Sequence, residues 1–187
     1  MGVIDGPVPA IRGVVGIDGH DGTGKTTIAK NVAGQLGMAY VRPFGGRRGQ
    51  DLTRASESGN TLEVLRLGAS ALEDALQSAD STGGVILDRS WLTVASLMDR
   101  RDFHDNWTLW IPTILCWADL PTTLARLAER DEPAESVAGH EYYIARYKEI
   151  AEENWCPIVD TSHASEEDST AEMVLAVRNL LNSAGTK

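Results

Sequence analysis

Gly19 to Thr26 reads GHDGTGKT, which meets every fixed position of the pattern G-x-x-x-x-G-K-[ST]. Gly19, Gly22 and Gly24 let the backbone curl so that several N–H groups face one point, where an anion would sit. Lys25 adds a point charge for terminal phosphates, and Thr26 adds a hydroxyl for Mg²⁺. A β-rich run precedes the loop and a helix pattern follows it, so the helix N-terminus adds its positive dipole end. The loop is expected to hold a nucleoside triphosphate through Gly19, Asp21, Gly22, Thr23, Gly24, Lys25, Thr26 and Thr27.

A second chemical signal is VILDRS, Val85 to Ser90. An aspartate at a strand end beside a phosphate loop suits a Mg²⁺–water ligand, which assigns the metal to Thr26 and Asp88. Arg89 can aim its planar donor fork at a phosphate. The segment YVRPFGGRRG has no carboxylate and three arginines, Arg42, Arg47 and Arg48. A hydroxyl acceptor benefits from a carboxylate base, whereas a monophosphate needs its charge neutralised and its position fixed. The pattern suits an anionic acceptor, and Phe44 in the same loop is a candidate for stacking on it. Asp21 or Asp88 could still serve as a base, which keeps a hydroxyl acceptor open.

Alternating elements must position these residues. Arg12 to Asp18 reads as a strand, and Lys25 to Leu36 as a helix stopped by Gly37. Met38 to Arg42 is a short strand, and Pro43 to Gln50 reads as a loop. Leu62, Leu65, Ala69, Leu72, Leu76 and Ala79 form a helical stripe over Thr61 to Ala79. Val85 to Asp88 is a buried strand, and Ser90 to Arg100 looks helical. Ile111 to Ala118 is another apolar run, followed by a helix from Pro121 to about Arg130. Arg130 to Gly139 is charged and reads as a mobile loop. His140 to Asn154 is helical, Cys156 to Asp160 a strand, and Ala171 to Leu181 a final helix. Strands alternating with helices predict an α/β fold, a parallel sheet covered on both faces.

Bulk properties set limits. The 187 residues fit one domain spanning 1–187. A formal net charge of -10 argues against a general nucleic-acid binder. No stretch is long enough to span a membrane, and the N-terminus lacks a secretory pattern, so a cytoplasmic protein is expected. Cys116 and Cys156 read as buried thiols. Trp107, Trp110 and Trp117 read as core or interface, and His20, at a variable loop position, as incidental. His104, His140 and His163 show no ligand spacing.

The chain resembles thymidylate kinases, within the P-loop nucleoside and nucleotide monophosphate kinases. GIDGHDGTGKTT, RPFGGRRG, VILDRS, DLPTTLARLAER and HEYYIARYKEIAEE carry the resemblance. It implies a three-layer fold with a five-stranded parallel sheet, ATP and Mg²⁺ as the donor pair, and a pyrimidine deoxynucleotide acceptor such as dTMP. It also implies a homodimer. By the same resemblance, Asp21 lies near the acceptor sugar, and Arg42 and Arg89 approach the acceptor phosphate. Arg66 is an offset match to an acceptor-helix arginine. Arg126 and Arg130 share a helical face leading into a lid at about 130–139, where they would clamp the moving phosphoryl group; Arg146 is a further candidate. The segment from Asp160 to Glu166 is where the family wraps adenine.

The departures shift the expectation. Pro43 and Phe44 replace the family's acidic loop position and its neighbour, and Ser90 replaces a tyrosine. The D-R-S form is closer to deoxynucleoside kinases. A modified 5-substituted pyrimidine nucleotide is therefore an open acceptor. So are a deoxynucleoside or small-molecule hydroxyl on the same fold, and an ATP sensor that transfers nothing.

Overall fold

The computed structural model describes residues 13–79, 84–129 and 136–184. Its five strands are β1 (Val14–Asp18), β2 (Ala39–Val41), β3 (Val85–Asp88), β4 (Thr113–Trp117) and β5 (Ile158–Asp160). They form one all-parallel sheet in the order β2-β3-β1-β4-β5. Val14 lies opposite Val85, and Gly16 opposite Thr113. The five-stranded α/β sandwich expected from the sequence is the fold observed.

Side-chain alternation along each strand feeds two cores. Val15, Ile17, Ile86, Ile114 and Cys116 point to the face covered by α1 (Lys25–Leu36) and α8 (Glu166–Ala184). Val14, Val85, Leu87 and Leu115 point to the other face. That face carries α2 (Arg47–Glu57), α3 (Thr61–Ala79), α4 (Trp91–Ser96), α5 (Arg100–Asn106) and α7 (Val137–Glu153). The remaining helix is α6 (Leu120–Ala128). Both faces are apolar, so every strand of the sheet centre is buried and reads as a continuous hydrophobic run.

Local chemistry fixes the helix ends. Gly37 adopts φ 64 and closes α1 with N–H bonds back into its last turn. The Asp119 side chain accepts from the Thr122 N–H and starts α6, with Pro121 in its first turn. Asp99 caps α5 in the same way.

Four expectations differ from the structure. The supposed loop Pro43 to Gln50 becomes helical from Arg47, because Leu52 and Ala55 dock α2 on the core although its other positions are polar. The single helix expected over Ser90 to Arg100 is two, broken after Ser96 and restarted by the Asp99 cap. α7 begins at Val137, inside the expected lid, because Ser136 accepts from the Gly139 N–H. α8 begins at Glu166, five residues earlier than expected, with Glu166, Glu167 and Asp168 suiting its N-terminal dipole. The rest of the lid, 130–135, lies outside the described residues. Among the described residues, no helix is long and apolar enough to cross a membrane.

Candidate active site

The segments that follow β1, β2 and β3 meet at the carboxyl edge of the sheet, where ligands bind in open parallel α/β folds. The GHDGTGKT loop joins β1 to α1 there. Gly22 and Gly24 adopt φ 81 and φ 84, conformations that favour glycine and make the loop possible. Lys25 is 5% exposed; its Nζ donates to the His20 carbonyl at 3.1 Å and to Asp21 at 3.2 Å. Burial and the neighbouring Arg89 charge lower its pKa, while Asp21 and Asp88 favour the cation.

Thr26 Oγ1 donates to Asp88 Oδ2 at 2.8 Å. The same oxygen accepts from the Tyr40 hydroxyl at 2.7 Å and pairs with Arg42 Nε at 3.3 Å. A hydroxyl and a carboxylate this close, beside a phosphate loop, are hard oxygen donors that suit Mg²⁺, which keeps several waters and takes few protein ligands. Among the described residues, no group of three His, Cys, Asp or Glu side chains could hold a metal without help from water or substrate.

Asp18 was not singled out from the sequence, yet it organises the site. It is fully buried at the end of β1. One oxygen accepts from the Gly19 N–H at 2.8 Å, and the other from the N–H groups of Ser90 and Thr93 at 2.7 and 2.8 Å. It therefore caps α4 from a neighbouring strand and ties the phosphate loop to the segment bearing Arg89. Burial raises its pKa, while Arg89 and these donors oppose the rise.

Arg89 adopts φ 80, an outlier for a bulky side chain. Such strain persists only where surrounding contacts over-determine it. Here the guanidinium donates to Asp21 at 2.5 Å, the Gly19 carbonyl at 3.2 Å and the Tyr147 hydroxyl at 3.2 Å. Burial alone would raise the pKa of the Asp21 carboxyl, but Lys25 and Arg89 hold it well below the usual carboxylate range.

Arg89 and Asp21 line a cleft of about 480 Å³, a size that suits a small molecule. Phe44, Tyr143 and Tyr147 contribute aromatic surface to its lining, as the stacking expectation for Phe44 requires. His20 also lines it. Its Nε2 lies 2.8 Å from His140 Nδ1, and its ring stacks on Tyr143 with centroids 5.8 Å apart. Burial pushes its pKa down to about 4, so His20 is neutral near pH 7. The sequence reading of His20 as incidental is corrected: it joins the loop to α7. The i,i+4 pair Tyr143 and Tyr147 was the available signal for that wall.

A second cavity, of about 390 Å³, lies against Gly24 and Thr27 of the phosphate loop and is lined also by Ile28, Arg126, Thr161 and Ser169. Arg126 donates to the Thr161 hydroxyl at 3.0 Å, its carbonyl at 2.7 Å and the Gly22 carbonyl at 3.4 Å. Arg126, on the helix that leads into the expected lid, is thus held against Thr161 and the loop carbonyl of Gly22 beside this second cavity. Arg130 lies outside the described residues. Arg66 does not reach the 480 Å³ cleft; it pairs with Glu63 and lines a separate surface depression. Arg146 donates to the Met98 carbonyl at 2.9 Å, a contact between α7 and the turn after α4. Trp107 is core, and Trp110 packs edge-on against Trp91 at 4.9 Å. Trp117 lies under the Lys148 ammonium at 4.8 Å.

No protein-family model matches the sequence, and no curated protein matches it. Solved structures do match in fold. A deoxyadenosine kinase from M. mycoides, with the products dCMP and a flexible dCDP bound, superposes with a TM-score of 0.58 at 18% identity. The match covers 91% of this chain and 99% of that one. The same enzyme with dCTP bound gives 0.60 at 15%, and with dATP bound 0.59 at 17%; each match covers 89% of this chain and 99% of the other. At these identities the likeness is one of fold, and the chain has the three-layer P-loop fold of these nucleoside kinases.

Proposed function

We propose that the chain is a Mg²⁺-dependent kinase that moves the terminal phosphoryl group of ATP to a nucleoside monophosphate, giving the diphosphate. The expected acceptor class is a pyrimidine deoxynucleotide. The observation that carries the reading is the charge state of the loop between the two cavities. Asp21, the carboxylate facing the acceptor cleft beside the phosphate loop, is neutralised by Lys25 and Arg89. A carboxylate held that far below its usual pKa is a poor proton acceptor. Asp88 accepts from Thr26, Tyr40 and Arg42, and so is turned to the metal side. With Asp21 and Asp88 both engaged, a hydroxyl would find no ready base beside the phosphate loop, whereas an acceptor already ionised needs none.

In this reading the donor nucleoside occupies the cavity at Thr27, Arg126 and Thr161, and the acceptor lies in the cleft of Phe44 and Tyr143. Lys25 and the loop N–H groups cradle the donor phosphates. Arg89, aided by Arg42, holds the acceptor phosphate in line. Thr26 and Asp88 would hold Mg²⁺, which neutralises charge on the donor phosphates when bound. The fold neighbour solved with the products dCMP and a flexible dCDP supports nucleoside or nucleotide phosphoryl transfer on this fold. A homodimer and a cytoplasmic setting belong to the same proposal.

The nucleoside kinase fold of the neighbours keeps one rival, a nucleoside hydroxyl as acceptor. Bisubstrate ligands separate the two. Adenosine joined to a deoxynucleoside through five phosphates spans ATP plus a monophosphate with one bridging phosphate to spare, and four phosphates span ATP plus a nucleoside in the same way. The proposal expects the five-phosphate ligand to bind ~100-fold more tightly than ATP by joining two sites. Tightest binding by the four-phosphate ligand would overturn it.

A further inference from the structure

The wall of the acceptor cleft formed by α2 and the end of α4 carries hydrogen-bonding groups that the phosphate-side residues do not use. Ser96 is the last residue of α4, the helix that follows Arg89, and lines the cleft with it. Ser56 and Glu57, at the end of α2, and Leu97, just past α4, line the same cleft. Ser56 Oγ donates to the Leu97 carbonyl at 2.9 Å, and Ser96 Oγ donates to the Thr93 carbonyl at 2.8 Å. A hydroxyl has one hydrogen, so Ser56 presents only lone pairs to the cleft, whereas Ser96 also bonds the Tyr147 side chain. Glu57 is an acceptor when ionised and, among the described residues, has no ion-pair partner. Thr53, one turn before Glu57, supplies a hydroxyl that can donate.

Two acceptors, Ser56 and Glu57, and one donor, Thr53, ask for a base edge that offers a donor to Glu57. Cytosine and adenine each offer an exocyclic amino group beside a ring nitrogen that accepts, a match for Glu57 and Thr53. Guanine offers N1–H and an amino group. Thymine and uracil offer one N–H flanked by two carbonyl oxygens, which would face Glu57 and the Ser56 lone pairs. A site built to pair an amino group discriminates strongly against an analogue that leaves its polar groups unpaired. We infer that Glu57 is a specificity-determining residue that reads an exocyclic amino group, so the cleft takes amino-bearing bases over thymine or uracil. Within the pyrimidine deoxynucleotides this means cytosine and its 5-substituted forms. The inference rests on the assignment of the cleft to the acceptor, and it departs from the thymidylate-like expectation of the sequence.

The test combines transfer and binding on the full chain. Wild type and Glu57→Gln are each given ATP, Mg²⁺ and a panel of dCMP, dAMP, dGMP, dTMP and dUMP, with the matching nucleosides as a parallel panel. Initial rates give kcat/KM, and calorimetry gives Kd for each acceptor. Glu57 is exposed on α2, so the variant should fold; the carboxamide keeps its size and adds a donor that can pair with a carbonyl. The expected result is at least a tenfold wild-type preference for one or more amino-bearing monophosphates over dTMP and dUMP. That preference should fall to within threefold in the variant, through a gain for dTMP as well as a loss for the amino bases. A preference for dTMP or dUMP, or an unchanged ratio in Glu57→Gln, would overturn the inference while leaving the kinase reading intact. The same base discrimination seen only among nucleosides would support Glu57 and overturn the monophosphate acceptor. Binding of no panel member would overturn both.

Discussion

Lys25, Asp21 and Arg89 form one electrostatic unit, and their substitutions should have separable signatures. Lys25→Ala removes the charge aimed at the donor phosphates, so kcat should fall by on the order of 10²–10³ at saturating ATP and acceptor. Arg89→Ala should lower kcat/KM for the acceptor by about 100-fold and leave the Kd for ATP within a fewfold, read by steady-state kinetics and calorimetry. Equal losses on both ligands would remove Arg89 from the acceptor side. These residues were legible in the sequence because the motifs fix their backbone positions and the loop leaves little choice of direction. Arg66 and Arg126 were less so. A long side chain on a helix goes where tertiary neighbours offer carboxylates or carbonyls; Glu63 decided the first and Thr161 the second. Asp18 was invisible because its role, capping α4 from another strand, exists only once β1 and β3 are paired.

Elements explain why the sheet edge is rigid enough to hold these groups. Gly16 faces Ser90 and Thr113 from β1; a Cβ there would lie 2.5 Å from the Ser90 Cβ. Gly16→Ala should therefore push β1 away from the Asp88–Ser90 segment and cost about 1–3 kcal/mol. Denaturant unfolding should show the loss, and activity should fall as well because Arg89 moves. Gly68 plays the same part between α3 and α4, where a Cβ would meet Val94 at 2.6 Å. Gly68→Ala should cost a similar amount in stability but spare the phosphate loop, so its Kd for ATP should stay near wild type. The strands and long helices could be read from periodicity. α2 could not: its sequence, RRGQDLTRASE, buries only Leu52 and Ala55, and Gly46 gives it no side-chain cap. That helix supplies the Thr53, Ser56 and Glu57 wall, so that part of the cleft was hidden with it.

For the whole molecule, the contact between the phosphate loop and α7 predicts a pH response. His20 has a folded pKa lowered to about 4 from an ordinary 6.5 by burial. Between these values the unfolded chain binds the proton that the native state excludes, so stability rises with pH across this window. Acidification should therefore lower the unfolding midpoint from about pH 6.5 down to about 4. Asp21, whose pKa is depressed by Lys25 and Arg89, adds a further loss as pH falls below its ordinary 3.8. Thermal melts of wild type and His20→Asn over pH 4–7.5 check this. The variant should be less stable near neutrality and show a shallower slope between pH 6.5 and 4; parallel curves would mean that His20 does not carry the effect.

The central claim is that a phosphoryl group passes from ATP to a monophosphate at Arg89. The most direct measurement is the mass of the products formed from ATP and Mg²⁺ with two separate acceptor pools, one of nucleoside monophosphates and one of the matching nucleosides. The account predicts nucleoside diphosphate and ADP in equal amounts from the first pool, and no monophosphate from the second. Monophosphates formed only from nucleosides, or ATP bound with no product from either pool, would contradict it.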